Sequence, residues 1–483
     1  YYATTGPFLR FGSELKALVA DPAVRRVIDP AALRMYFRYG YVPAPLTIFK
    51  GISKLEPAHF LLCEGGRVEV RRYWDPLACV GRHAGLSDAD AEHQLEGLLG
   101  TAVRQRRIAD VPLGAFLSGG VDSSLVVALM QEQASSRVKT FTIRFDDPAF
   151  NEADHAVAVA RHLRTEHTEQ LCSEAELLAS VDRIPSMFDE PFGDSSAIPT
   201  LLVSAAARRH VTVALSGDGG DELFGGYRTF RDVPRAVRWF RLAAPARWAR
   251  PFVSAAARLF KSRGLLKVAE GLKRKAEPVD MYLLRREVFR PSERRSLMDL
   301  PTNVDPATGM TPELLADWRT GTSRLDSENQ VSLLELTAYM RHMLLRDSDV
   351  FSMAHGLELR VPLLDHELVD ATTSLPGILK RPRGVPKKLL VDAAGPRLPR
   401  EVTTLPKRGF TFPWAEWFRK ELAATASERL NDRGVWSRLG FDAAAPGRLW
   451  DLFRRGDPTV GGVHVLGLVV LADLAVRQRL AVA

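Results

Sequence analysis

The chain has 483 residues, enough for two or more domains and a large core. A hydrophobic fraction of 46% and a charged fraction of 26% are those of a globular protein, and a net charge of +8 suits an anionic ligand, nucleic acid included, without choosing one. Three scattered cysteines, Cys63, Cys79 and Cys172, with no CxxC pair, argue against a disulfide framework and a zinc site and favour a reducing compartment.

Residues 1 to about 75 read as short strands and one or two helices. Phe60–Cys63 and Val68–Val70 flank Glu64–Gly65–Gly66, a hairpin signal. Cys63 falls on that hairpin and reads as a small buried hydrophobe. A linker is expected over roughly 81–88. From Ala89 the pattern becomes helix–strand alternation, which predicts a parallel α/β sheet. Leu95–Arg107 is an amphipathic helix, Gly114–Leu117 a buried strand, and Ser123–Gln131 a helix. Thr140–Phe145 and Val211–Leu215 read as strands, Ala153–Leu163 and Thr200–Arg209 as helices. Residues 230–300 are basic and helical, with Trp239, Phe240, Trp248 and Phe252 interleaved. That mixture suits RNA, but an amphipathic helical insertion with a solvated cationic face is the preferred reading. Val463–Val476, interrupted by His464 and Asp473, is too short to span a bilayer and predicts a buried helix. No signal peptide opens the chain, so a cytoplasmic protein is expected. The chain starts at Tyr1 rather than Met, and the gene product is expected to start earlier.

Two strings carry chemistry. Ser118–Gly119–Gly120–Val121–Asp122–Ser123–Ser124 follows a predicted strand and opens a predicted helix. Its glycines permit a tight turn and close approach of backbone to ligand. The helix start offers N–H groups and partial positive charge to an anion, and the three serine hydroxyls add donors. Asp122 would repel that anion unless a cation such as Mg²⁺ joins them. A glycine turn that merely caps a helix is the competing reading. The second string, Ser216–Gly217–Asp218–Gly219–Gly220–Asp221–Glu222–Leu223–Phe224–Gly225–Gly226–Tyr227, also follows a strand. Crowded carboxylates and glycines make poor folding elements, and such conflict marks functional sites. Asp221 is placed to share a cation with Asp122.

The pair of strings resembles glutamine-hydrolysing asparagine synthetase, a member of the ATP pyrophosphatase superfamily. Phe11–Leu18 and Tyr73–Trp74–Asp75 resemble the end of that family's glutaminase domain. Asp194–Ser195–Ser196, Ser352–Asp365 and Pro406–Phe410 resemble its synthetase domain. The resemblance implies an α/β fold: a Rossmann-like (HUP, adenine nucleotide α-hydrolase-like) parallel sheet with helical additions at 89–483. Before it, at 1–80, would come the C-terminal remnant of an Ntn-type αββα glutaminase domain. It further implies ATP and Mg²⁺. Leu117 and Ile143 would frame the adenine, with Ser216 and Gly217 on the nucleotide. Ser118, Gly119, Gly120, Ser123 and Ser124 would cradle pyrophosphate, with Asp122 and Asp221 on the metal.

Lys407 matches the family's charge-neutralising lysine, although a surface lysine in a basic loop is the plainer alternative. Glu358 resembles its base for ammonia, against the alternative of a glutamate paired with Arg360. Asp218 and Glu222 would position the amine. The implied reaction joins a carboxylate, by default L-aspartate, to ammonia through an acyl-adenylate, which must be kept from water. No cysteine stands at position 1, so glutaminase activity is not expected from this chain, and free or delivered ammonia is the nitrogen source. Asp218, where well-known members carry Glu, puts aspartate in question. Rival readings are amidation of a surface-polysaccharide or natural-product precursor, an RNA-modifying enzyme, and an inactive remnant serving as a binding module. No nucleic-acid or membrane partner is expected, and a homodimer is possible.

Overall fold

Short antiparallel pairs build the amino-terminal segment. β1 (Tyr2–Thr5) pairs with β2 (Phe8–Phe11). α1 (Pro30–Tyr39) begins at Asp29, whose carboxylate accepts the Ala31 N–H at 2.8 Å, carries Pro at its first position, and ends at Gly40 with φ 85°. β3 (His59–Glu64) and β4 (Arg67–Arg72) form the expected hairpin, turning through Gly65 and Gly66, both at positive φ. Cys63 is exposed on this hairpin, which corrects the buried reading: both flanking strands are largely solvated, so a small thiol there meets no core.

The computed structural model describes residues 1–5, 8–80, 85–145, 153–181, 183–194, 196–298, 312–404 and 412–482. After α2 (Asp88–Arg106), capped by the Ser87 hydroxyl, the alternation follows the expected order. It runs β5 (Leu113–Phe116), α3 (Val121–Glu132), β6 (Lys139–Phe145), α4 (Ala153–Leu163), β7 (Glu166–Cys172), α5 (Ala197–Arg208), β8 (Val213–Leu215) and the short α6 (Gly220–Phe224). Helices then dominate: α7 (Thr229–Leu242), α8 (Arg250–Leu259), α9 (Arg263–Gly271) and α10 (Leu345–Met353), followed by β9 (Glu358–Arg360), α11 (Lys388–Ala394) and α12 (Gly462–Gln478). A π-helical stretch, Glu335–Leu344, leads into α10.

The main sheet is wholly parallel, in the order β7-β6-β5-β8-β9. The chain starts at the centre, walks outward through β6 and β7, then crosses to β8 on the other side of β5. The topological switch therefore lies between β5 and β8, and in open α/β sheets the crevice beyond such a switch is where ligands bind.

Two large apolar cores hold this frame. Leu95, Leu99 and Val103 of α2 pack with Leu125, Val126 and Leu129 of α3 and Val159 of α4. The other core joins Leu33, Tyr36 and Phe37 of α1 to Phe289, Trp450 and the apolar body of α12. The Tyr36 hydroxyl donates to the Gly467 carbonyl at 2.8 Å, and the Ile28 N–H to Ala481 at 3.2 Å. The amino-terminal segment thus shares its core with the far end of the chain. Among the described residues no helix is long and apolar enough to cross a membrane.

Candidate active site

The two glycine-rich strings are the loops that leave β5 and β8 at the switch point. Beyond β5, Leu117 is buried and donates its N–H to the Phe141 carbonyl at 2.9 Å, extending the sheet by one residue. The chain then turns through Gly119, at φ 78°, into α3. The Ser123 hydroxyl accepts from the Ser118 N–H at 3.2 Å, lies 3.0 Å from the Ser118 hydroxyl, and donates to the Gly120 carbonyl at 3.3 Å. The loop is therefore set by its own side chains before any ligand arrives, and the start of a twelve-residue helix faces the crevice. Ser124 is fully buried within α3, behind the loop. Ile143 is buried near the carboxyl end of β6.

From β8, the Ser216 N–H donates to Arg360 at 2.9 Å and its hydroxyl to Asp218 at 2.8 Å; the Ser348 hydroxyl reaches the same Asp218 oxygen at 3.3 Å. Gly217 is the contact between the two loops. A Cβ there would stand 2.5 Å from the Ser123 nitrogen, so only glycine lets them meet. Gly226 plays the same part lower down, where a Cβ would run into the Asp221 carboxylate and the Lys387 stem.

That interlock brings Asp122 and Asp221 onto one cation, the ammonium of Lys387. Lys387 Nζ is 2.6 Å from Asp221 and forms a shorter ion pair with Asp122; all three side chains are nearly excluded from water. Lys387 caps α11 in the left-handed region, at φ 54° and ψ 21°, and anchors its N–H on the Phe224 carbonyl at 3.0 Å. A non-glycine residue held there costs about 1–2 kcal/mol. Here it aims the ammonium into the carboxylate pair. Sequence reasoning missed Lys387. Its neighbour Lys388 differs only in pointing outward to Asp392, and the one legible signal was the positive-φ turn chemistry of Arg383–Gly384 nearby.

Glu222 turns away from the crevice. It is fully buried, accepts the Tyr227 hydroxyl at 2.8 Å, and its pKa is pushed up to about 8, by burial first and then by the Asp221 charge. On the β8 side of the crevice Asp218 stands among acids. Asp347 on α10 is 3% exposed, and its pKa is raised well above the carboxylate range by burial and by the charges of Asp194 and Asp218, against one opposing hydrogen bond from Thr200.

Glu358 is not part of this assembly. It starts β9, level with Val213 at the amino end of β8, about 10 Å of strand from Ser216. Its carboxylate is exposed and pairs with Arg360 at 2.6 Å. This is the position that the alternative reading expects, a glutamate paired with Arg360, and it follows from a three-residue strand that sends its first residue to the end of the sheet opposite the loops. Lys407 lies outside the described residues.

Among the described residues no three His, Cys, Asp or Glu side chains form a metal cage. Two carboxylates that already close on one cation do fit Mg²⁺, which is commonly held by one or two carboxylates plus phosphate oxygens and water. A separate cleft of about 720 Å³, lined by Val237, Arg238, Arg241, Glu277 and Arg319, opens on the helical layer and includes none of these loops.

The asparagine synthase family model matches residues 94–461 and a glutamine amidotransferase domain model matches residues 1–74. The chain belongs to the asparagine synthase family. Asparagine synthetase [glutamine-hydrolyzing] 1 of Bacillus subtilis is 31% identical over 430 residues, covering 87% of this chain and 65% of the relative. A Mycobacterium tuberculosis protein provisionally named a glutamine-hydrolysing asparagine synthetase is 32% identical over 403 residues, 81% of this chain and 59% of its own length. Amidase chry2 of Gibberella zeae is 26% identical over 438 residues, 82% of this chain and 63% of its own. The chain thus spans under two thirds of the length of each.

Proposed function

We propose that this chain activates a carboxylate with ATP and converts it to an amide with ammonia, releasing AMP and pyrophosphate. The observation that carries the reading is the convergence of Asp122, Asp221 and Lys387 beneath two glycine loops at the switch point. A substrate carboxylate oxygen attacks the α-phosphorus, and the bond to the bridging oxygen breaks. Pyrophosphate leaves into the loop Ser118–Ser124, where N–H groups, hydroxyls and Lys387 meet its charge. Leu117 and Ile143 frame the adenine, with Ser216 and Gly217 along the nucleotide. Mg²⁺ held by Asp122 and Asp221 would neutralise phosphate charge when bound. Ammonia then attacks the acyl carbon, the bond to AMP breaks, and the nitrogen loses a proton. We assign to Asp218, which follows β8 and accepts the Ser216 hydroxyl, the roles of orienting that amine and taking the proton. Lys407 is assigned to charge neutralisation on the resemblance alone. Residues 1–80 are read as glutamine amidotransferase sequence and 89–483 as the synthetase domain; the family matches, at 1–74 and 94–461, fall within these two units.

L-aspartate remains the default substrate. Asp218 and Asp194 lie near Asp347 on the β8 side of the crevice, and such acidic surroundings suit a second reading, a carboxylate substrate carrying an additional ammonium group. The test is amide formation and pyrophosphate release with ammonium chloride and either aspartate or a basic amino acid. Release that depends on aspartate, with asparagine formed, supports the default. Dependence on the basic amino acid supports the second reading. Hydrolysis of ATP indifferent to both would defeat the amidation proposal.

A further inference from the structure

The helical addition carries a surface that the reaction does not use. Between Asp232 and Glu270 the sequence holds nine lysines and arginines and no carboxylate. The sequence there reads as an amphipathic helical insertion with a solvated cationic face. Phe240 does pack inward against Gly271, but Trp239, Leu242, Trp248, Phe252, Leu259 and Phe260 face solvent. Leu242 is 82% exposed, Leu259 78%, Trp248 73% and Phe252 70%. Phe252 and Leu259 lie seven residues apart on α8, and Trp248 stands in the 3-10 turn (Ala244–Ala249) that leads into it. Trp248 and Phe252 touch edge to face with ring centroids 6.5 Å apart. α8 buries only Ala257, so its apolar stripe is turned outward.

The charges around the stripe are barely neutralised. Lys261 pairs with Asp457 at 3.1 Å, while Arg241 and Arg247 donate to the backbone carbonyls of Ala276 and Arg274. Arg235, Arg238 and Arg258 are exposed. A helix with Trp, Phe and Leu along one side and Arg or Lys beside them is the pattern of a helix lying in a lipid headgroup layer. A second copy of this chain would bring the same uncompensated positive charge against it. Single-stranded nucleic acid would use the aromatic faces for stacking but has no use for Leu242 and Leu259. We propose that α7 and α8 form a peripheral docking surface for an anionic lipid bilayer, the stripe entering the headgroup layer and the arginines meeting lipid phosphates. The binding would hold the amidation site at a membrane surface without crossing it.

The test is co-sedimentation of the whole 483-residue chain with vesicles of phosphatidylcholine alone or mixed with phosphatidylglycerol, at low and high salt. Expected is binding to the anionic vesicles only, weakened by salt, and reduced about tenfold or more in the double variant Trp248→Glu, Phe252→Glu. Both side chains are exposed, so the variant should keep the wild-type melting temperature. An independent variant, Arg247→Glu with Arg258→Glu, should reproduce the loss. Sedimentation with neither vesicle, or equal binding by wild type and both variants, would overturn the proposal. So would capture on single-stranded RNA with no vesicle binding, which would assign the surface to nucleic acid.

Discussion

Replacing Lys387 with methionine keeps the stem and deletes the charge that two carboxylates share. At 2.6 Å and an effective dielectric constant of about 20, the Asp221 contact alone is worth about 6 kcal/mol before desolvation. The side chains of Lys387, Asp122 and Asp221 are only 10%, 13% and 7% exposed, so water can compensate little when the cation goes. Stranding one member of such a buried set costs about 3–5 kcal/mol in general, and that is the loss of unfolding free energy expected in urea. Magnesium should return part of it. An ion that binds between the two carboxylates at about a hundred times its dissociation constant restores about 2.7 kcal/mol, and it should stabilise the variant more than the wild type. Pyrophosphate release should fall about a hundredfold or more, as on removing one donor from a preorganised anion site. Unchanged urea midpoints with unchanged turnover would show that the three side chains are neither a structural nor a functional unit, and the site as described would be wrong.

Gly217→Ala puts a methyl group against the Ser123 nitrogen, and the loops must part; a loss of about 1–3 kcal/mol and weaker binding of a fluorescent ATP analogue are expected. Glu358→Ala removes an exposed carboxylate at the far end of the sheet and should leave pyrophosphate release within about twofold, where Asp218→Ala should lower it at least tenfold. His464 is buried and its pKa is depressed to about 3, by burial first and then by the Arg263 guanidinium 3.0 Å from its Nε2. Between about pH 3 and 6.5 the unfolded chain holds that proton and the folded chain does not, so the neutral histidine's contribution is complete above pH 6.5 and is lost as pH falls through that window. His464→Gln should flatten this slope in thermal melts taken from pH 7 to 5, and an identical slope would refute the assignment.

Much of the frame was legible because β5 and β8 are apolar runs, β6 alternates polar and apolar residues as a strand does, and α2 has apolar residues at helical spacing, signals that arise within a few residues. β7 was missed for the opposite reason: Glu166–Cys172 is an edge strand, polar and half exposed, so its sequence carries no burial signal. β9 is three residues long and exists through its partner β8. The two glycine loops could be read from sequence because each combines strand end, tight turn and helix start in one stretch. Lys387 could not, since it sits 265 residues from Asp122 and only the fold brings them together. The position of Glu358 was not legible because a string match fixes neighbours in sequence but not the end of the sheet to which a strand delivers them. The outward orientation of Trp248, Phe252 and Leu259 was not legible because apolar residues at helical spacing read the same whether they face a core or solvent.

The claim that everything else depends on is adenylation of a carboxylate in the crevice between β5 and β8. Exchange of labelled pyrophosphate into ATP, measured with Mg²⁺ and a candidate carboxylate and without ammonia, reads that step alone. The account predicts exchange that requires the carboxylate and disappears in Asp122→Asn. Exchange at the wild-type rate in Asp122→Asn, or ATP turnover in the wild type with no carboxylate-dependent exchange, would contradict it.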